Sequence, residues 1–342
     1  MNAREARGTA VAGALFLLVQ VGALAMVGPF ETAGYQAVED PSDPTNSLVY
    51  FAAILVATAL MLAAFKYAFE RAVRAVVLLS SALISWYVFA VVAPAPLVVG
   101  SVNVLAVALS VGVALALLVY PEWYVIDAAG VVMGIGAGAL FGISFGLLPA
   151  IVLLSVLAVY DAISVYGTEH MLSLAEGVMD LRVPVILVVP LSLSYSLLDD
   201  DFSGANEVHE DGADDGADAA PDDAIDHTDD ADEADGSSSG ERDAFFIGLG
   251  DAVMPTVMVA SAAAFSPASS LGVAGLPALN LPALLAMVGT FLGLGVLLWA
   301  VMKGRAHAGL PLLNGGAIGG YLLGSVLAGI PVARALGVAA YL

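Results

Sequence analysis

Residues 147–166 read LLPAIVLLSVLAVYDAISVY, an almost unbroken apolar run with a single carboxylic acid, Asp161, set inside it. As an α-helix, a run of this length reaches about 30 Å, the thickness of the hydrocarbon core of a bilayer. Lipid offers a charge no partner at that depth, so an acid inside such a run is a functional candidate by default. A second acid is placed in the same way. Asp251 follows Gly248-Leu249-Gly250 within the apolar run Ala244–Phe265.

Outward from these two, apolar runs recur at Thr9–Val27, Leu48–Phe65, Ala75–Ala93, Leu97–Val119, Tyr124–Ile143, Leu281–Met302 and Leu312–Ile330, which brings the total to nine. Hydrophobic residues make up 60% of the chain and charged residues 12%, with a mean hydropathy of +0.93. A soluble domain carries about twice that charged share, and its helices show a polar face that these runs lack. Arg4 and Arg7 precede the first run, but Gly28-Pro29-Phe30-Glu31 is not a small-residue cleavage site, so the run is a span and not a secretory signal. Cysteine is absent, which removes disulfide and thiol chemistry.

Basic residues orient the spans. With the N-terminus inside, Arg4, Arg7, Lys66, Arg71, Arg74, Arg182, Arg242, Lys303 and Arg305 all fall on the inner side, and only Arg334 falls outside. The same assignment puts Glu31, Glu39, Asp40 and Asp43 outside. Between spans six and seven, residues 198–243 hold 19 of the 32 acidic residues and account for most of the net charge of -22. So polar a segment reads as a disordered, solvated linker. Its aspartates lack the glycine and terminal glutamate of a calcium loop. Thr168–Leu181 has the alternation of a short amphipathic helix on the inner membrane surface. His170, His209, His227 and His307 have no second ligand at metal spacing and read as surface residues, so no metal is expected.

Depth pairs the two acids. Asp161 lies about five residues before the inner end of its span and Asp251 about seven after the inner end of its own, which sets both roughly 8–10 Å below the inner surface. Adjacent antiparallel helices would bring them face to face. Two close carboxylates in a low dielectric share a proton, one serving as base toward a water and the other as acid toward the carbonyl or leaving amine. Gly248 and Gly250 thin the chain beside Asp251, and Pro255 removes the helical donor of the Asp251 carbonyl. Glu122 and Asp127 stand near the start of their span and are read as interface anchors. Gln20 and Asn103 are read as interhelical hydrogen bonders. Gly130, Gly134, Gly138 and Gly142, and likewise Gly315, Gly316, Gly319, Gly320 and Gly324, form ladders suited to close helix packing.

These residues resemble a known family. Tyr160-Asp161 and Gly248-Leu249-Gly250-Asp251 look like the YD and GxGD motifs of the presenilin and signal peptide peptidase family, and Pro311-Leu312-Leu313 is similar to its PAL motif, with leucine for the central alanine. The resemblance implies an all-α membrane protein of nine transmembrane helices, N-terminus inside and C-terminus outside, as in presenilin and opposite to the peptidase branch. It implies an intramembrane aspartic endopeptidase with Asp161 and Asp251 catalytic. Tyr160, Gly248, Leu249 and Gly250 would form the active-site motif, and Pro311, Leu312 and Leu313 would position substrate. The organisation expected is a six-helix block over 1–197, an acidic cytoplasmic loop over 198–243 and a three-helix block over 244–342. The loop does not resemble the apolar self-cleavage segment of presenilin, so an uncut chain is expected. Substrates would be transmembrane segments in the bilayer, with no cofactor, nucleic acid or obligatory protein partner. The acidic, alanine-rich composition suggests an archaeal homologue from a salty habitat. A proton- or sodium-coupled transporter also uses paired intramembrane aspartates, and a prepilin-type peptidase also carries a glycine-x-glycine-aspartate arrangement.

Overall fold

A computed structural model describes residues 3–67, 69–100, 102–167, 183–191, 195–197, 244–302 and 308–339. The amphipathic segment 168–181, the acidic loop 198–243, the four histidines, and Arg182, Arg242, Lys303 and Arg305 lie outside them. Helices dominate: α1 (Ala3–Thr32), α2 (Thr45–Lys66), α3 (Glu70–Val92), α4 (Val104–Val119), α5 (Trp123–Ser144), α6 (Leu147–Gly167), α7 (Leu249–Phe265), α8 (Leu281–Met302), α9 (Gly309–Leu327) and the short α10 (Val332–Ala335). Seven of them are long and apolar enough to cross a membrane, and α4 and α7 are shorter apolar helices. The chain is a multi-pass membrane protein.

Two of the expected spans are shorter than their apolar runs. Leu97–Gly100 and Val102–Asn103 are not helical. Its β-branched Val98, Val99 and Val102 pair as β1 (Val98–Val99) and β2 (Val102–Asn103) around Gly100, whose φ of 66° suits glycine alone. Asn103 then caps α4, accepting from the Leu105 and Ala106 N–H groups, while its Nδ2 donates to the Ala93 carbonyl at the end of α3 at 3.2 Å, the interhelical bond expected of it. Ala244–Gly248 likewise forms a strand, β4, antiparallel to β3 (Ile186–Pro190), in the register Ile186 to Gly248 through Pro190 to Ala244. Phe245, Phe246 and Ile247 favour extended backbone and Gly248 disfavours helix, so α7 starts only at Leu249. Two small sheets stand beside an otherwise helical fold.

The core sits around α7. From Ala252 to Ala262 most of its side chains are buried, as befits a helix apolar on every face and enclosed by neighbours. The glycine ladder of α5 lies along it. A Cβ on Gly138 would meet Thr256 and one on Gly142 would meet Ala260, while those on Gly130 and Gly134 would meet Leu187 and Val19. Asn280 ties the end of α7 to the start of α8, donating to the Ala262 carbonyl at 2.8 Å and accepting from the Ala283 N–H at 2.9 Å. On the connection before α2, the hydroxyl and N–H of Thr45 both donate to Asp43 and hold its carboxyl below the usual carboxylate range. Gln20 is fully buried, and neither side-chain atom finds a hydrogen-bond partner among the described residues, contrary to its expected interhelical bond.

Candidate active site

The head of α9 organises the site. Ala308 precedes the helix without a side-chain cap, and Pro311 in the first turn has no N–H to satisfy, which that position tolerates. Two N–H groups here turn to α6. Leu310 donates its N–H to Asp161 Oδ2 at 3.0 Å, and Ala308 donates to the Tyr166 hydroxyl at 3.4 Å. Asp161 is therefore the trans cap of α9. Across the same peptide unit stands Asp251: a side chain at Gly309 would come within 3.3 Å of both of its carboxylate oxygens. The structure brings the two acids together at Gly309-Leu310.

Local sequence explains how Asp251 arrives there. The β3–β4 ladder ends at Gly248, and the Leu249 N–H is held by the Val185 carbonyl at 2.8 Å, so the chain turns directly from strand into helix. Asp251 falls in the first turn of α7, not deeper inside a long span as the apolar run suggests. The N-termini of α7 and α9 thus both face the carboxylates, and helix N-termini favour negative charge. Gly248 backs the Asp251 carboxylate, where a Cβ would lie 3.5 Å from Oδ2, and Gly250 faces open space. Leu249 is buried against Gly130 and Gly134 of α5. Pro255 lies inside α7, four residues beyond Asp251.

Tyr160 turns toward α2. With Phe51 of α2, at 6.1 Å between ring centroids, and with Ser155, Val156, Val159 and Ile163, it lines an apolar groove of about 360 Å³ between α2 and α6. In Pro311-Leu312-Leu313, Leu313 is fully buried. The Leu312 carbonyl lies against the Cα of Gly293 in α8, where no Cβ fits.

A third buried acid was not distinguished by its position in the sequence. Asp127 is 6% exposed and accepts the Val188 N–H at 2.7 Å, fixing α5 to β3. Glu122, also buried, accepts from the Trp123 N–H, the Ser196 hydroxyl and the Leu197 N–H. Neither is the expected interface anchor: Asp127 holds a backbone donor of β3, and Glu122 holds the first N–H of α5 and that of Leu197. Asp127→Ala strands the buried Val188 N–H and is expected to cost about 1–3 kcal/mol in thermal unfolding, whereas Asp127→Asn keeps an acceptor oxygen and costs less.

Similarity to known proteins follows this geometry. The signal-peptide peptidase, presenilin aspartyl protease family matches residues 13–330. A solved structure of a presenilin family intramembrane aspartate protease in space group C222 is 29% identical, covers 93% of this chain and 99% of its own, and has a TM-score of 0.59. Another such structure, in space group P2, is 31% identical, covers 92% of this chain and 96% of its own, and has a TM-score of 0.56. No curated protein sequence matches the chain. The family match runs through both aspartates and nearly the whole length, so the chain belongs to the signal-peptide peptidase and presenilin aspartyl protease family and is an intramembrane aspartyl protease.

Proposed function

We propose that Asp161 and Asp251 form the catalytic dyad and hydrolyse peptide bonds within transmembrane segments. The observation that carries this reading is the convergence of both carboxylates on the Gly309-Leu310 peptide unit. The pair holds one proton between them. The ionised partner takes a proton from a water as that water adds to the peptide carbonyl, and the protonated partner gives its proton to the carbonyl oxygen. Collapse of the tetrahedral adduct breaks the C–N bond as the first carboxyl passes the water's proton to the amine and the second takes back a hydroxyl proton, which restores the pair. Gly248, Leu249 and Gly250 shape the approach to Asp251, and Pro311, Leu312 and Leu313 position substrate beside it. The nine apolar helices all span, with the N-terminus and the acidic loop cytoplasmic and the C-terminus outside. That loop joins a six-helix block to a three-helix block, and the chain works uncut without cofactor or partner protein.

Substrate enters from lipid through the groove between α2 and α6. Val159, exposed on its wall, sits two residues from Asp161. Val159→Trp fills the groove without touching the dyad, and cleavage should fall on the order of tenfold with little change in unfolding temperature. An unchanged rate would place entry elsewhere. The function itself is tested by incubating the purified chain in liposomes with a transmembrane peptide and identifying fragments by mass. Ion flux without fragments would replace this reading with that of a transporter.

A further inference from the structure

Asn314 is fully buried in α9, one turn beyond Leu310, among apolar neighbours such as Leu313 and Ala317. Its Nδ2 donates to the Leu154 carbonyl of α6 at 3.0 Å. That carbonyl lies inside α6, where the helix already supplies its donor. The bond therefore satisfies no stranded backbone group on α6. The Asn314 Oδ1 meets no hydrogen-bond partner among the described residues. An amide in this place brings an unmet acceptor into the core for the sake of one crossing bond.

That bond shares a seam with the one at the site. Leu310 and Asn314 are four residues apart on one face of α9, and Leu154 and Asp161 are seven apart on one face of α6. Along the axes these separations are about 6 Å and about 10 Å. Side chains lean toward the N-terminus of their helix, so Asp161 leans back toward Leu154 and narrows the difference. Asn314 to Leu154 thus crosses to α6 further along α9 than the bonds at its head, Leu310 to Asp161 and Ala308 to Tyr166. Bonds gathered at the head of α9 leave the rest of the helix free to pivot; one more, a turn further along, fixes register and rotation together.

We propose that Asn314 is a positioning residue for Asp161. By locking the register of α9 on α6, it holds the Leu310 N–H on the carboxylate and keeps the dyad opposite one peptide bond of the substrate. This rests on the dyad reading given above. It predicts that stability and activity separate. Leucine matches the amide in shape and removes the unmet acceptor, so the fold tolerates it while the register loosens.

The test compares Asn314→Leu, Asn314→Gln and the two dyad variants Asp161→Asn and Asp251→Asn as full-length chains in liposomes. Unfolding temperature, kcat, KM and the masses of the fragments are measured on one transmembrane peptide. For Asn314→Leu the expected result is an unfolding temperature unchanged or higher, kcat lower by about tenfold, KM within about twofold, and cleavage spread over neighbouring bonds. Asn314→Gln, which keeps an amide donor, should recover part of the rate and sharpen the cleavage position. Wild-type kcat and a single cleavage position in Asn314→Leu would overturn the proposal. So would a loss of folding in that variant, or a rate loss that merely tracks lost stability. If instead the dyad variants stay active, the dyad reading fails; if they are inactive while Asn314→Leu behaves as wild type, only the role of Asn314 fails.

Discussion

Asp161→Asn and Asp251→Asn, made singly, should each reduce cleavage of a transmembrane peptide by at least about 10³-fold, the scale of losing a general acid or base. Asparagine is close to isosteric with aspartate, and at 161 its amide oxygen can still accept the Leu310 N–H that now reaches Oδ2 at 3.0 Å. At 251 it still fits beside Gly309, where the neighbouring atom is a Cα and not a side chain. Neither change should therefore unfold the chain, and equal unfolding temperatures would show that the loss belongs to the chemistry. Because the two acids act as one unit, the double variant should be scarcely worse than either single one. A single variant retaining activity within tenfold of the parent would sink the dyad.

The apolar helices and the two acids set inside apolar runs stand out in the sequence because the bilayer imposes harsh rules. Apolar runs of this length have few other uses, and an acid such as Asp161 inside one is rare enough to stand out. The β3–β4 ladder was not legible, because its halves, Ile186–Pro190 and Ala244–Gly248, lie on opposite sides of the acidic loop. Each alone is a short apolar stretch, and such stretches do not declare helix or strand by periodicity. Asp127 escaped for a related reason. Position near a span end suggested access to water, while the strand that buries it and supplies the Val188 N–H is the very element the sequence concealed. Asn314 carries no signal of depth or motif, and its bond to Leu154 depends on the rotation of two helices. Pro311-Leu312-Leu313 falls in the first turns of α9, but its neighbour Gly309-Leu310, which meets both acids, lies just before the apolar run as read from sequence.

Rotation also decides the second large effect, in the five glycines of α9. Along the sequence Gly315, Gly316, Gly319, Gly320 and Gly324 form one ladder, yet the fold divides them by face. A Cβ on Gly316 would fall on the Gly289 carbonyl of α8, and one on Gly320 on the Leu285 carbonyl; at Gly315 and Gly319 nothing lies within 4 Å. Backbone oxygen cannot swing aside as a side chain can, so even alanine at 316 or 320 must push α8 and α9 apart. Overpacking of this kind costs about 1–3 kcal/mol or more, and close backbone approach is what holds membrane helices together. Gly315→Ala and Gly319→Ala meet no obstacle and gain helix propensity, about 0.5–1 kcal/mol. Thermal unfolding should thus move in opposite directions for adjacent substitutions, down for Gly316→Ala and Gly320→Ala, up or unchanged for Gly315→Ala and Gly319→Ala. Activity should follow the first pair down, since a displaced α9 carries the Leu310 N–H away from Asp161. If Gly319→Ala destabilised the chain as much as Gly320→Ala, the face that α9 turns toward α8 would be wrong, and the placement of Leu310 and Asn314 on α6 would fall with it.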